Sequence, residues 1–247
     1  MADRITIGNA EIAFALDMVP PPRSPDAFFE GVTAKDWGPY EDILEEGQIQ
    51  LYYGHFFIRS CGKTIMVDTG MGPGPHPERG NRTGDLLNQL KLQGVSPEDI
   101  DIVVHTHLHA DHVGWNIDLS GETPRPYFPS ARYLVPRVDW EYFTKPDVLD
   151  AAPQVRDSVV PLEKMGILDL VDDGYNLTDE ITTLATPGHT PGHRVILISS
   201  QGEKAMIVGD ALHSKVQVQE PDWCAMVDTD KDDSRRSRHA LLERAES

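Results

Sequence analysis

Four of the chain's ten histidines fall within eight residues, His105-Thr106-His107-Leu108-His109-Ala110-Asp111-His112. The apolar run Ile102-Val103-Val104 leads straight into them. Three β-branched residues in a row read as a short buried strand, so the histidines stand on a loop at a strand's end. Neutral imidazole is a good ligand for zinc and similar divalent ions, and carboxylate completes such a shell. On a loop of this kind, residues two apart can point the same way, which directs His107 and His109 at one ion. Asp111 and His112 lie where the loop has turned and can face a neighbouring ion. The spacing is too tight for a helical His-x-x-x-His pair.

Two further strand ends carry ligand-type residues. A predicted strand at 181–186 runs into Pro187-Gly188-His189-Thr190-Pro191-Gly192-His193, and Met206-Ile207-Val208 runs into Gly209-Asp210. Three strand ends delivering such side chains to one edge is how an α/β sheet builds a site. The other elements fit that class. Alternating strands are predicted at 5–7 and 11–16, followed by a Pro-rich arm, Val19-Pro20-Pro21-Pro22-Arg23-Ser24-Pro25. A hairpin joins 48–59 to 64–67 through Ser60-Cys61-Gly62-Lys63. A helix is expected at 85–93, with Leu86, Leu87 and Leu90 on one face, and Ser96-Pro97-Glu98-Asp99 reads as a second helix start. Strands follow at 132–135, 195–199 and 205–208, then a closing helix at 232–246 anchored by Leu241 and Leu242. No composition break marks a linker, so 1–247 reads as one domain.

Charge excludes some partners. Lys and Arg number 22 against 40 Asp and Glu, a net charge of −18. A surface this acidic repels phosphate backbones and anionic lipid, which argues against nucleic acid and membrane as partners and for a small molecule. No run reaches the length of an apolar membrane span, and Met1-Ala2-Asp3-Arg4 does not open a secretory signal. Cys61 and Cys224 make no disulfide framework, so a cytoplasmic location is expected. A Gly-x-Ser-x-Gly elbow is absent, which removes support for a serine hydrolase. Phe28, Phe29 and Trp37 could pack the Pro-rich arm down, line a pocket or meet a second subunit in a homodimer. Trp115 and His213 are candidate substrate-pocket residues, each with plain burial as the alternative. His105 reads as packing or support, His193 as serving the backbone, and His55, His76 and His239 as solvated or structural. The acidic run at 228–233 reads as a solvated loop and helix start.

His107-x-His109-x-Asp111-His112, Gly188-His189, Gly209-Asp210 and the preceding Val67-Asp68-Thr69-Gly70 together resemble the metallo-β-lactamase superfamily of metal-dependent hydrolases. The resemblance spans about residues 48–213. The wording around Gly209-Asp210-Ala211-Leu212-His213 is most similar to the branch containing lactonases and methyl-parathion-type phosphotriesterases. It implies a four-layer αβ/βα sandwich. It also implies two divalent cations, zinc above all: His107, His109 and His189 on the first, Asp111 and His112 on the second, and Asp210 bridging both. Asp68 would orient a ligand imidazole. The implied activity is hydrolysis of a small ester, lactone or phosphotriester by a hydroxide held between the cations, with Asp111 as the catalytic carboxylate at the leaving group. The family takes one more histidine for the second cation from a strand beyond the closing helix. Here Ala245-Glu246-Ser247 ends the chain, so the expectation is a missing last strand and an incomplete second site. Alternatives within the fold are a thioester hydrolase, a persulfide dioxygenase with a single iron or zinc, or a truncated, non-catalytic cation-binding remnant. A nuclease of this fold would need a basic face, against which the charge speaks.

Overall fold

The computed structural model describes residues 4–246; Met1, Ala2, Asp3 and Ser247, on which the reading of the two chain ends falls, lie outside the described residues. The larger sheet opens with four antiparallel strands, β1 (Arg4–Ile7), β2 (Ala10–Met18), β3 (Tyr53–Ser60) and β4 (Lys63–Val67). Cys61 and Gly62 close the hairpin at φ 48° and 74°, the pair of positive angles that matches strand twist in a two-residue turn. The sheet then turns parallel through β5 (Ile102–Val104). A two-stranded ribbon of β6 (Ile117–Asp118) and β7 (Arg125–Pro126) intervenes before β8 (Arg132–Pro136) and β9 (Leu168–Val171) complete it. The second sheet is antiparallel, in the order β10 (Asn176–Thr178), β11 (Ile181–Ala185), β12 (Arg194–Ser200) and β13 (Glu203–Ile207).

Strand alternation sorts the core into layers. One register row, Ala13, Phe57, Met66, Val103 and Tyr133, faces Leu86 and Leu90 of helix α1 (Leu86–Leu92). The opposite face, with Ile12, Ile58, Ile65, Val104 and Leu134, packs on Ile181, Ile196 and Ile198 of the second sheet. Beyond that sheet, Val195 and its neighbours meet Leu241 of the C-terminal helix. Helix, sheet, sheet, helix is the expected four-layer αβ/βα sandwich. Each fully buried aliphatic side chain in these rows contributes about 1.5–3 kcal/mol.

Several local expectations need correction. Residues 97–99 make a single 3-10 turn, because Ile100 goes extended at once and drops its side chain into the core. β3 begins at Tyr53, and residues 48 and 49 instead bridge to Glu45 and Arg23. A helical stretch between β8 and β9 went unforeseen. It comprises helices of five to seven residues interrupted by Pro146, Pro153 and Pro161, too short to show a period. Phe28, Phe29 and Trp37 pack within the chain, against Val216 and Trp223.

Candidate metal centre

β4 runs into Asp68 at φ 59°, a left-handed conformation that Asp tolerates better than most residues. The kink lets its carboxylate accept from Thr106 N at 2.8 Å, Thr106 Oγ1 at 2.6 Å and His112 Nδ1 at 2.9 Å. His107 and His109 stand on the loop after β5, as expected. Asp111 and His112 do not: they sit on α2 (Ala110–Val113), one helical turn begun by His109. His189 comes from the Pro-Gly turn after β11 and Asp210 from a 3-10 turn after β13.

These separated tips converge. His107 Nε2 lies 3.1 Å from His109 Nδ1, which lies 2.9 Å from His189 Nε2. Asp210 Oδ2 is 3.3 Å from His189 Nε2 and 3.9 Å from His107 Nε2, and its Oδ1 is 3.3 Å from His112 Nε2. The outer ring nitrogens settle the tautomers. Thr106 Oγ1 gives its proton to Asp68 and so accepts from His107 Nδ1. His189 Nδ1 donates to Asp228 Oδ1 at 2.9 Å, and His112 Nδ1 donates to Asp68. The Nε2 atoms of His107 and His189 therefore carry lone pairs that face other acceptors across about 3 Å. A single proton on His109 cannot satisfy them, whereas a tetrahedral cation with ligands at about 2.0–2.1 Å separates its donors by a similar distance. The donor set fits a divalent metal.

Electrostatics agree. Burial, then the neighbouring imidazoles, hold His107 well below its usual range and His109 at about 4, so both are neutral ligands at neutral pH. Burial alone would also lower His112, yet the carboxylates of Asp210 and Asp68 on either side hold it well above. Asp210 is half-buried, which opposes its charge, but His112, His213 and His189 keep it ionised.

Asp111 lines the cleft but belongs to none of the four groups whose ligand atoms lie within 4.8 Å of one another among the described residues. His213 does: its Nε2 is 3.4 Å from Asp210 Oδ2, neither ring nitrogen has a hydrogen-bond partner, and it lines the cleft. Trp115 is a correction. It is buried in the core beside Tyr127 and donates to Asp17 at 2.8 Å, away from the cleft. His193 serves the backbone as expected, accepting from Asp210 N at 3.1 Å. His55 is buried, with an unpartnered Nε2, edge-on to His112.

Three buried carboxylates escaped the sequence reading. Asp17 accepts from Met71 N, Asp85 N and Leu86 N and so braces the loop after β4. Asp228, read as solvated, is buried and orients His189. Asp139 accepts from Leu108 N, Thr190 Oγ1 and Gly192 N, stapling the His107–His109 loop to the His189 turn. Burial pushes Asp139 up to about 6 from 3.8 against those hydrogen bonds and the charge of Arg194. A carboxyl raised in the folded state contributes stability that is present below pH 4 and lost as pH rises through 6. Relative to Asp139→Asn, the wild type is expected to lose about 2 kcal/mol of unfolding free energy between pH 4 and pH 7. Urea melts of both proteins across that range check this; a pH-independent difference would contradict it.

The site floors an open cleft of about 1170 Å³ whose walls include Phe28, Ile43, Leu44, Ile49 and Leu51, with Arg23 and Lys215 among the polar lining. No helix among the described residues is long and apolar enough to cross a membrane.

The profile of the family described as the Metallo-beta-lactamase superfamily matches residues 56–246. The N-acyl homoserine lactonase AttM of Rhizobium radiobacter is 33% identical over 126 residues, 49% of this chain and 44% of that protein. The chain thus aligns with less than half the length of that relative. Among solved structures, AidC, a dizinc quorum-quenching lactonase in complex with a product, superposes with a TM-score of 0.80 at 25% identity, over 98% of this chain and 86% of that one. The hydrolase AbOPH superposes with a TM-score of 0.84 at 22% identity, over 97% and 84%, a likeness of fold.

Proposed function

The chain belongs to the metallo-beta-lactamase superfamily, and on that footing we propose that it is a metal-dependent hydrolase that opens the ester of a small lactone. The observation that carries this reading is the set of lone pairs on His107, His109 and His189, gathered beside Asp210 on the floor of an apolar-walled cleft. His107, His109, His189 and Asp210 would hold the first divalent cation, zinc by donor type. His112 and Asp210 would hold the second, more weakly, because His112 sits between two carboxylates and must give up a proton to bind it, with Asp111 beside them on the cleft wall. Bound there, the cations supply Lewis acidity, polarising a carbonyl and making water acidic near neutral pH.

The remaining steps belong to side chains. Asp68 and Asp228 fix the ring orientations of His112 and His189, as ligand imidazoles require. His213, with unpartnered ring nitrogens at the cleft wall, donates to the substrate carbonyl and orients it. Asp111 takes a proton from the water as it adds to that carbonyl carbon, the ring C–O bond breaks, and the departing alkoxide receives that same proton back from Asp111. The residues Phe28, Ile49 and Leu51 give an acyl tail an apolar wall, which favours N-acyl homoserine lactones, the substrates named for the relatives, over short polar esters.

The test is a substrate panel on protein stripped with chelator and reloaded with zinc, cobalt or manganese. Acyl homoserine lactones should show the highest kcat/KM, above aryl esters, phosphotriesters and thioesters. Activity should vanish on stripping and return with cation. A thioester preference, or sulfur oxidation with iron, would replace this reading with the thioesterase or dioxygenase one. Full cation content with no hydrolysis of any substrate would leave a binding protein.

A further inference from the structure

The C-terminal helix α7 (Lys231–Glu246) carries a polar group in a place that costs stability. The helices between β8 and β9 precede it as α3 (Arg137–Phe143), α4 (Pro146–Asp150), α5 (Pro153–Ser158) and α6 (Val160–Lys164). Arg238 of α7 is fully buried, and its guanidinium meets five groups, Cys224 Sγ at 3.9 Å among them, four of which lie outside its own helix. Nε donates to Ala211 O at 3.0 Å, one residue from Asp210. One terminal nitrogen donates to Pro221 O. The other donates to Ser234 Oγ at 3.4 Å and lies 3.5 Å from Asp228 Oδ2. Asp228 is itself fully enclosed, and its other oxygen holds His189 Nδ1.

The same segment grips the His189 turn by its backbone. Thr229 N and Thr229 Oγ1 both donate to His189 O, Asp230 N donates to Gly188 O, and Ser237 Oγ donates to Pro187 O at 2.7 Å. A buried ion pair such as Arg238–Asp228 offers little net stability over apolar side chains of equal volume. Its value here is geometric, because a planar fork with five donors can hold several acceptors in fixed directions at once.

We propose that Arg238 is a positioning residue for the metal centre: through Asp228 it sets the tautomer and aim of His189, and through the Ala211 carbonyl it sets the turn that carries Asp210. Helix α7 is then part of the cation-binding apparatus, although no residue of it faces the cation. The inference deepens the proposed function and rests on it for the identity of the ligand.

The test uses full-length Arg238→Lys, Arg238→Met and Asp228→Asn, each verified as folded by circular dichroism. Zinc is titrated into the stripped proteins by calorimetry, and the ¹⁵N shifts of the His189 ring are read without cation. Losing a group behind a ligand histidine costs about 10- to 100-fold in metal affinity, and that loss is expected in each variant, smallest in Arg238→Lys. The Arg238→Met/Asp228→Asn double variant should bind no worse than the poorer single one. The His189 shifts should move from one Nδ1–H tautomer to a mixture. Wild-type affinity and tautomer with only a lowered Tm would make Arg238 purely structural and overturn the proposal. If Arg238→Met does not fold, the other two variants decide. If the wild type binds no zinc, the proposed function fails on its own, and the tautomer comparison still decides the role of Arg238.

Discussion

His107→Ala is expected to strip the first cation from the protein and to bring hydrolysis down to the level of the chelated wild type. His107 is fully buried, with its ring 4.0 Å from that of His112 and 4.7 Å from those of His109 and His189, centroid to centroid. Its Nε2 competes with that of His189 for the single proton of His109, so only a cation satisfies both lone pairs at once. Removing a supporting partner of a ligand histidine already weakens binding by about 10- to 100-fold, and deleting the ligand itself should exceed that. The fold should survive, because the cation-free cage gains little from His107: it is a desolvated imidazole crowded by three others. Elemental analysis after gel filtration, paired with circular dichroism, checks both halves. His239→Ala is the comparison, since that ring is exposed and pairs with Asp222 at 3.0 Å; its cation content should match wild type. Full cation content in His107→Ala would remove the ligand assignment.

The candidate ligands His107, His109, His189 and Asp210 were legible because each stands just past a strand tip, where chemistry and backbone leave a local mark. Pro187-Gly188 before His189 and Gly209 before Asp210 are residues that a tight turn demands, and the alternation of His107 and His109 is the mark of a loop leaving a strand. The groups that hold the ligands leave no such mark. Asp17, Asp139 and Asp228 are single carboxylates, 31 to 98 residues from the loop and turn groups they hold. Asp17 and Asp139 are satisfied mainly by backbone N–H groups that any sequence supplies, so nothing near them distinguishes them from surface acids. In a chain with 40 acidic residues that ambiguity is large, and Asp228, inside an acidic run, was hidden best. Trp115 misled for the converse reason. Its position just after the histidine motif suggested the cleft, but Asp17 captures its indole N–H and turns the ring into the core. The layering of the fold was readable from alternation in the long strands, while the short helices between β8 and β9 were not, since none lasts two full turns.

The turn that bears His189 also leaves α7 no slack. Gly188 has φ +132°, and a Cβ there would lie 2.2 Å from Ser234 N, 2.4 Å from Ser234 Cα and 2.7 Å from Asp233 C. All three are backbone atoms of the helix's first turn, so no side-chain rotation relieves the contact. Gly188→Ala therefore combines a conformation that L side chains rarely adopt, about 1–3 kcal/mol, with overpacking that costs about 1–3 kcal/mol. A loss of about 4 kcal/mol is expected, a large share of the 5–15 kcal/mol typical of a whole domain. Relief has one route, moving α7 away from the turn. That breaks Asp230 N to Gly188 O and Thr229 N to His189 O, and it draws Asp228 off His189 Nδ1. Stability and first-site cation affinity should therefore fall together. Gly202→Ala separates the two causes, because Gly202 has φ +84° but nothing within 4 Å of its added Cβ. It should lose about 1 kcal/mol and keep wild-type cation affinity. Urea midpoints with zinc titrations on both variants give the comparison, and equal losses in the two would show that the helix does not press on the His189 turn.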